Sequence, residues 1–409
     1  MTTASQLDIA SSVRQDDCED YLDLIVNGHI GDLLLPSALA SRGAFGLDAM
    51  LLHVVVAKAR RPEGLSLVVP AETVAQARYL DQLALTSYGF AALALASKLV
   101  DLNGNDLPLT LAGLRKDKRL LEMENASKRL FISEEGLSLA SIYGKSSEFA
   151  GWMYSRSVQT GAMEVQPPAE LKGWLYGAAE RMLPDEFMGL FDQNRRESLC
   201  TIAFELLENA AQHGRYDERG AKLKKGIRGL NLRLVDVGLG QGGHLAGGNP
   251  TVNMYFNRTA QKGSRQENRY LELTVFDSGI GFHKWLNAAC NDNERTRPYR
   301  GMAVKDTVRS CVFMHASSKG VDGTGIGLYR ATRLLKELFG FVRIRTGTEC
   351  YFARLDQTLA GADRKLGGDR EDAANPIVEL EEWYPGRSLK DAGGSSVTFG
   401  IPLIKWSAR

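Results

Sequence analysis

YLELTVFDSGIG, residues 270–281, is the stretch from which the fold of this 409-residue chain is read. Polar and apolar residues alternate through Tyr270–Phe276, as along a half-buried strand, and the run ends on Asp277 with Gly279 and Gly281 just behind it. A carboxylate at a strand end accepts hydrogen bonds from an exocyclic amine, and two glycines let the backbone turn closely around a flat ring. Asp-Ser-Gly is also ordinary turn chemistry, so the segments on either side decide what this one means.

On the N-terminal side, residues 186–213 contain no proline and a single glycine, Gly189. Leu199, Ile202, Ala203, Leu206, Leu207 and Ala210 recur at helical spacing there, which predicts a long amphipathic helix ending at Gly214. Its last part, FELLENAAQHG (204–214), places Glu205, Glu208 and Asn209 opposite the apolar stripe. Taken alone, such a face reads as a solvated surface, since glutamate and asparagine are ordinary surface residues. Asn209 stands out, because asparagine is a mediocre helix former whose neutral oxygen suits a hard cation. GLNLRLVDV (229–237) predicts a second half-buried strand.

On the C-terminal side, GTGIGL (Gly323, Thr324, Gly325, Ile326, Gly327 and Leu328) opens a predicted helix over 326–339. Closely spaced glycines before a helix present amide N–H groups and the positive end of the helix dipole, the arrangement that receives phosphate oxygens. A Rossmann unit would need a strand directly before the glycines, but the preceding MHASSKGVD is polar, and no GxxxxGK[ST] loop occurs. A further helix is predicted over 300–316, two strands around a Thr346-Gly347 turn within 340–355, and a closing strand in SSVTFGIPLI.

Taken in order, a helix with Glu-x-x-x-Asn, a strand ending in Asp-x-Gly-x-Gly, a glycine loop entering a helix and a final strand resemble the GHKL ATP-binding superfamily. That superfamily includes type II topoisomerase ATPase subunits, heat-shock chaperones, mismatch-repair ATPases of the MutL kind, histidine kinases and anti-sigma serine kinases. The resemblance covers roughly 170–409 and implies a Bergerat-type α/β sandwich, with helices on one face of a mixed sheet, that binds ATP and Mg2+. It implies that Asn209 coordinates magnesium, that Asp277 reads the adenine amino group, that Gly279 and Gly281 shape the base pocket, and that residues 323–328 wrap the phosphates. Ser395 or Ser396 stands where several members place a hydroxyl near adenine. Glu205, one helical turn before Asn209, matches the general base, and Lys319 in HASSK (315–319) matches a lid lysine that reaches the terminal phosphate. The activity implied is ATP hydrolysis driving a conformational switch for a protein partner or a homodimer. Two alternatives stay open: a serine/threonine kinase of the anti-sigma type, suggested by the ending Asn-Ala-x-x-His-Gly, and a nucleotide-gated module that scarcely turns over. No upstream histidine has the setting of a phospho-acceptor, since His29 lies in NGHIGD and His53 in LLHVVV.

The rest of the chain bounds these expectations. Fifty Lys plus Arg against forty-nine Asp plus Glu leave a net charge of +1, which argues against an electrostatically driven nucleic-acid or membrane-surface binder. The most apolar runs fall short of a membrane span. Five scattered cysteines without CxxC spacing, behind a polar N-terminal segment, point to reduced thiols in the cytoplasm and to no zinc site. Two domains are expected: a separate N-terminal α/β domain over 1–165 of unassigned role, and an ATP-binding domain over 166–409, joined near Pro167-Pro168. The ATP-binding domain is expected to carry insertions near 238–268, as a lid, partner surface or oligomer contact, and near 356–394.

Overall fold

The fold is taken from a computed structural model, which describes residues 5–41, 44–70, 73–125, 136–144, 153–156, 163–189, 192–214, 217, 221, 223, 225–238, 249–262, 267–284, 301–313, 340–354 and 379–403. It is an α/β protein built on two main sheets.

The N-terminal elements run β1 (Ser5–Asp8), α1 (Gln15–Val26), β2 (Ile30–Leu34), α2 (Leu47–Ala59), β3 (Leu65–Val69), α3 (Thr73–Leu83), α4 (Ser87–Leu95), β4 (Ala96–Asp101), β5 (Asp106–Leu107) and α5 (Thr110–Asn125). β1 to β4 pair in parallel in sequence order, and β5 closes the edge antiparallel to β4. Parallel neighbours require crossovers, which α1, α2 and the α3–α4 pair supply. LDAMLLHVVVAKA and SYGFAALAL are apolar nearly all round, and α2 and α4 are accordingly buried over most of their length. α4 touches β3 of this sheet on one side and strands of the larger sheet on the other.

The remaining elements are β6 (Gly136–Gly144), β7 (Tyr154–Arg156), β8 (Met163–Val165), α6 (Pro168–Met182), α7 (Asp185–Met188), α8 (Gln193–His213), β9 (Lys225–Gly238), α9 (Pro250–Lys262), β10 (Glu267–Asp277), α10 (Val304–Phe313), β11 (Phe341–Thr346), β12 (Glu349–Arg354), β13 (Glu381–Glu382) and β14 (Ser395–Pro402). Seven of the strands form the larger sheet in the order β13-β12-β11-β14-β10-β9-β6, and β7 and β8 pair separately. A mixed sheet was expected in this half. The mixed sheet is instead the N-terminal one, and among the described residues every pairing of the larger sheet is antiparallel. β6 comes from the N-terminal side of the boundary expected at 165, yet it pairs with β9 from Gly136 to Gly144. Pro168, expected in a connection, is the first-turn proline of α6, a position that needs no N–H.

Side chains on β10 alternate between two unlike faces. Leu271, Leu273 and Val275 face the helical layer containing α8, whereas Tyr270, Glu272, Thr274 and Phe276 face the N-terminal half. On the second face the Phe45 and Gly46 amides donate to the Glu272 carboxylate, and Phe45 joins Tyr255, Phe256, Tyr270 and Phe341 in a buried aromatic cluster. Tyr255 and Phe256 belong to α9, so this helix of the 238–268 insertion packs its buried side chains on the face away from α8. Trp383, within the expected 356–394 insertion, is fully buried against Phe352; residues 356–378 of that insertion lie outside the described residues. Among the ion pairs that tie the halves together are Glu19 with Arg345, at 2.7 Å and sealed from solvent, and Asp48 with Arg233, with the more exposed Asp20–Arg387 and Asp23–Lys390 beside them. One cluster of buried side chains runs from Leu33 and Leu67 through Val54 to Leu232, Leu273 and Phe399.

Candidate functional site

α8 forms because its apolar stripe has somewhere to go. Leu199, Ile202, Ala203, Leu206, Leu207 and Ala210 are all buried, while Glu205, Glu208 and Asn209 flank them half-buried. The helix stops at Gly214, whose N–H donates to Ala210 O at 3.1 Å. Expected as one helix from 186, this segment is interrupted: α7 ends at Met188 and α8 begins at Gln193.

β10 delivers Asp277 beside that helix end. Asp277 Oδ1 accepts the Gly279 N–H at 2.7 Å, an Asx turn that fixes the carboxyl against its own backbone. Ser278 locks the turn to β9: its Oγ accepts the Ile227 N–H at 2.8 Å, and its N–H donates to Ile227 O at 2.9 Å. The Tyr143 hydroxyl lies 3.1 Å from Ser278 Oγ and donates to Gly214 O, linking turn and helix end through β6. Gly279 lies so close to Gly214 that a Cβ on it would come within 2.6 Å of the Gly214 Cα. Gly281 adopts φ +85°, a left-handed conformation that favours glycine, and the Phe282 N–H that follows donates to Thr346 Oγ1 at 2.9 Å. Thr346 Oγ1 is in turn 2.9 Å from Ser395 Oγ.

These contacts line a narrow cleft that opens to solvent. Leu206, Asn209, Ala210 and Gly214 form its helical wall, and Val275, Asp277, Ile280, Gly281, Phe282, Ser395 and Val397 form the rest. Asn209, Asp277, Gly281 and Ser395, widely separated in the chain, thus share one wall system, with Gly279 on the turn beneath. Glu205 stands one turn before Asn209 and does not line the cleft among the described residues. Lys319, Gly323, Thr324, Gly325, Ile326, Gly327 and Leu328 lie outside the described residues.

Electrostatically the cleft has one dominant feature. Burial pushes the Asp277 carboxyl up to about 6, against the pull of the Gly279 N–H and the Arg60 and Arg228 cations. Arg228 is itself held over the Tyr154 ring at 4.1 Å. An aliphatic and aromatic slot with, among its described lining residues, a single buried carboxylate suits a flat, apolar group carrying an N–H donor. Glu272, pushed up by burial to about 7, is on the opposite face and takes no part in the cleft.

Thr346, Tyr143, Arg60 and Arg228 were not singled out from the sequence. Thr346 was legible only as part of a turn, and nothing local marks the other three. No family model, curated protein or solved structure matches the chain.

Proposed function

We propose that the chain binds Mg-ATP in the cleft between α8 and β10 in the manner of the GHKL superfamily, with a Bergerat-type C-terminal half. It hydrolyses the nucleotide as a conformational switch for a protein partner or a second copy of itself. The observation that carries this reading is the convergence of Asn209 with Asp277, Gly281 and Ser395 on one apolar cleft.

Each residue then has a physical task. Asp277, ionised above about pH 6, accepts the exocyclic amine of adenine while Val275, Ile280 and Val397 cover the ring. Asn209 offers one side-chain oxygen, which fits a magnesium ion that keeps several waters and takes its other ligands from phosphates. The nucleotide supplies the transferable phosphoryl group. Glu205, four residues before Asn209, orients a water and accepts its proton. Lys319 and the 323–328 loop complete the phosphate side. The Asn-Ala-x-x-His-Gly ending of α8 favours one second reading, in which a partner serine or threonine hydroxyl replaces the water.

γ-Labelled ATP incubated with the protein, alone and with a cell extract, separates the readings. Free phosphate is the expected product; labelled protein indicates the kinase, and binding without either product indicates a gated module. Glu205→Ala is expected to keep ATP binding and to lose turnover by roughly a hundredfold or more. Turnover equal to the parent's refutes Glu205 as the base.

A further inference from the structure

Arg60 is the residue that caps the C-terminus of α2, in the N-terminal half. Its Nη1 donates to Gly393 O at 2.7 Å, and its Nη2 donates to Ser278 O. One guanidinium fork therefore joins the turn that carries Asp277 to the loop that leads into Ser395. The two backbones meet directly beneath it: a Cβ on Gly394 would fall 2.1 Å from Asp277 O, and Gly393 adopts φ +65°. The loop has other ties to the same wall. Gly347 N–H donates to Gly394 O at 3.2 Å, Ala392 N–H to Gly347 O at 2.9 Å, and Lys284 pairs with Asp391 at 2.7 Å. Arg60 is the link among these that comes from the N-terminal half, and it touches none of the groups assigned above to adenine or magnesium.

We infer that Arg60 is a positioning residue of the nucleotide cleft, so that docking of the N-terminal half on the larger sheet sets how well the cleft holds its base. The inference rests on the nucleotide reading and adds that the N-terminal half, whose role the sequence leaves open, controls the site through the fork. A signal that loosens α2 from the sheet slackens the Asp277 turn and the Ser395 loop together and lowers nucleotide affinity.

Charge and geometry at Arg60 separate experimentally. Asp277 faces Arg60 from α2, Arg228 from β9, Tyr143 from β6 and Tyr154 from β7, and the Arg60 cation favours its ionised form. Arg60→Lys keeps the cation but loses the fork; Arg60→Gln loses both. Arg60 retains solvent exposure, so both variants keep the hydrophobic core intact, with thermal melting as the check. Mg-ADP binding to the full chain is measured by calorimetry across pH 5–8 for the parent, both variants and the neighbouring control Arg61→Gln. The expected result is about tenfold weaker binding in both Arg60 variants and parent-like binding in the control. The acid limb of the affinity profile moves to higher pH in Arg60→Gln only. Parent-like affinity and pH profile in both Arg60 variants overturn the inference and leave the nucleotide reading standing. Absence of binding by the parent overturns the nucleotide reading and this inference with it.

Discussion

Asp277 and His53 show how two buried titratable groups pull stability in opposite directions. Asp277, raised from 3.8 to about 6, binds its proton more tightly in the folded chain. Its contribution is fully present below pH 3.8 and is lost as pH rises through about 6, by up to about 3 kcal/mol. Asp277→Asn removes that slope, seen in urea unfolding at pH 4 and pH 7, and weakens nucleotide binding by more than about tenfold. His53 is fully buried on α2, with neither ring nitrogen hydrogen-bonded, and burial with the Arg345, Arg343 and Arg60 cations pushes it down to about 3. Its unfolded form gains a proton below about pH 6.5, so its contribution is present at neutral pH and lost as pH falls. His53→Leu should therefore stabilise the protein by about 2 kcal/mol more at pH 5 than at pH 8; an equal effect at both pH values contradicts the assignment. The strand-end setting of Asp277 was legible because strand and turn are contiguous. The partners of the turn were not: Tyr143 meets Gly214 across 71 residues, Phe282 meets Thr346 across 64, and Arg60 meets Ser278 across 218.

α8 and β10 meet at a pair of glycines, and that contact sets the cleft's width. Gly279→Ala would drive a methyl into the Gly214 Cα at 2.6 Å. The expected cost is about 1–3 kcal/mol by denaturant titration, with weaker Mg-ADP binding. Parent-like stability and affinity would mean that helix end and turn are not in contact. The elements themselves were largely readable, since the periodicities of 2 and 3.6 in β10 and α8 are strong and local. Their limits were less so. β9 was expected over 229–237 but starts at Lys225, because Lys225 and Ile227 pair with Gly144 and Ile142 of β6, a strand that no nearby motif announces. α7 stops at Met188 with Gly189 as its C-cap, a lone glycine that a helical pattern tolerates on paper.

At the scale of the molecule, the N-terminal half is the lining of the larger sheet's second face. Period-2 alternation reveals that face as polar, with Arg233, Glu272, Thr398 and Arg345, a pattern that reads as solvent-facing until its cover is known. The cover supplies Glu19, Asp48 and the Phe45 and Gly46 amides, each matched to one of those groups or its neighbour. Removing one partner strands a buried charge, so Glu19→Ala is expected to cost about 3–5 kcal/mol. With a shared core, calorimetric melting of the parent is expected to give a single cooperative transition; two independent transitions would mean that the halves fold separately. The claim on which the functional account turns is that the cleft between α8 and β10 holds an adenine nucleotide with magnesium, and titration calorimetry of the parent and Asp277→Asn with Mg-ATP tests it most directly. The account predicts saturable heat at one site per chain in the parent and none in Asp277→Asn over the same concentrations. No heat in the parent, or the same heat in both proteins, would contradict it.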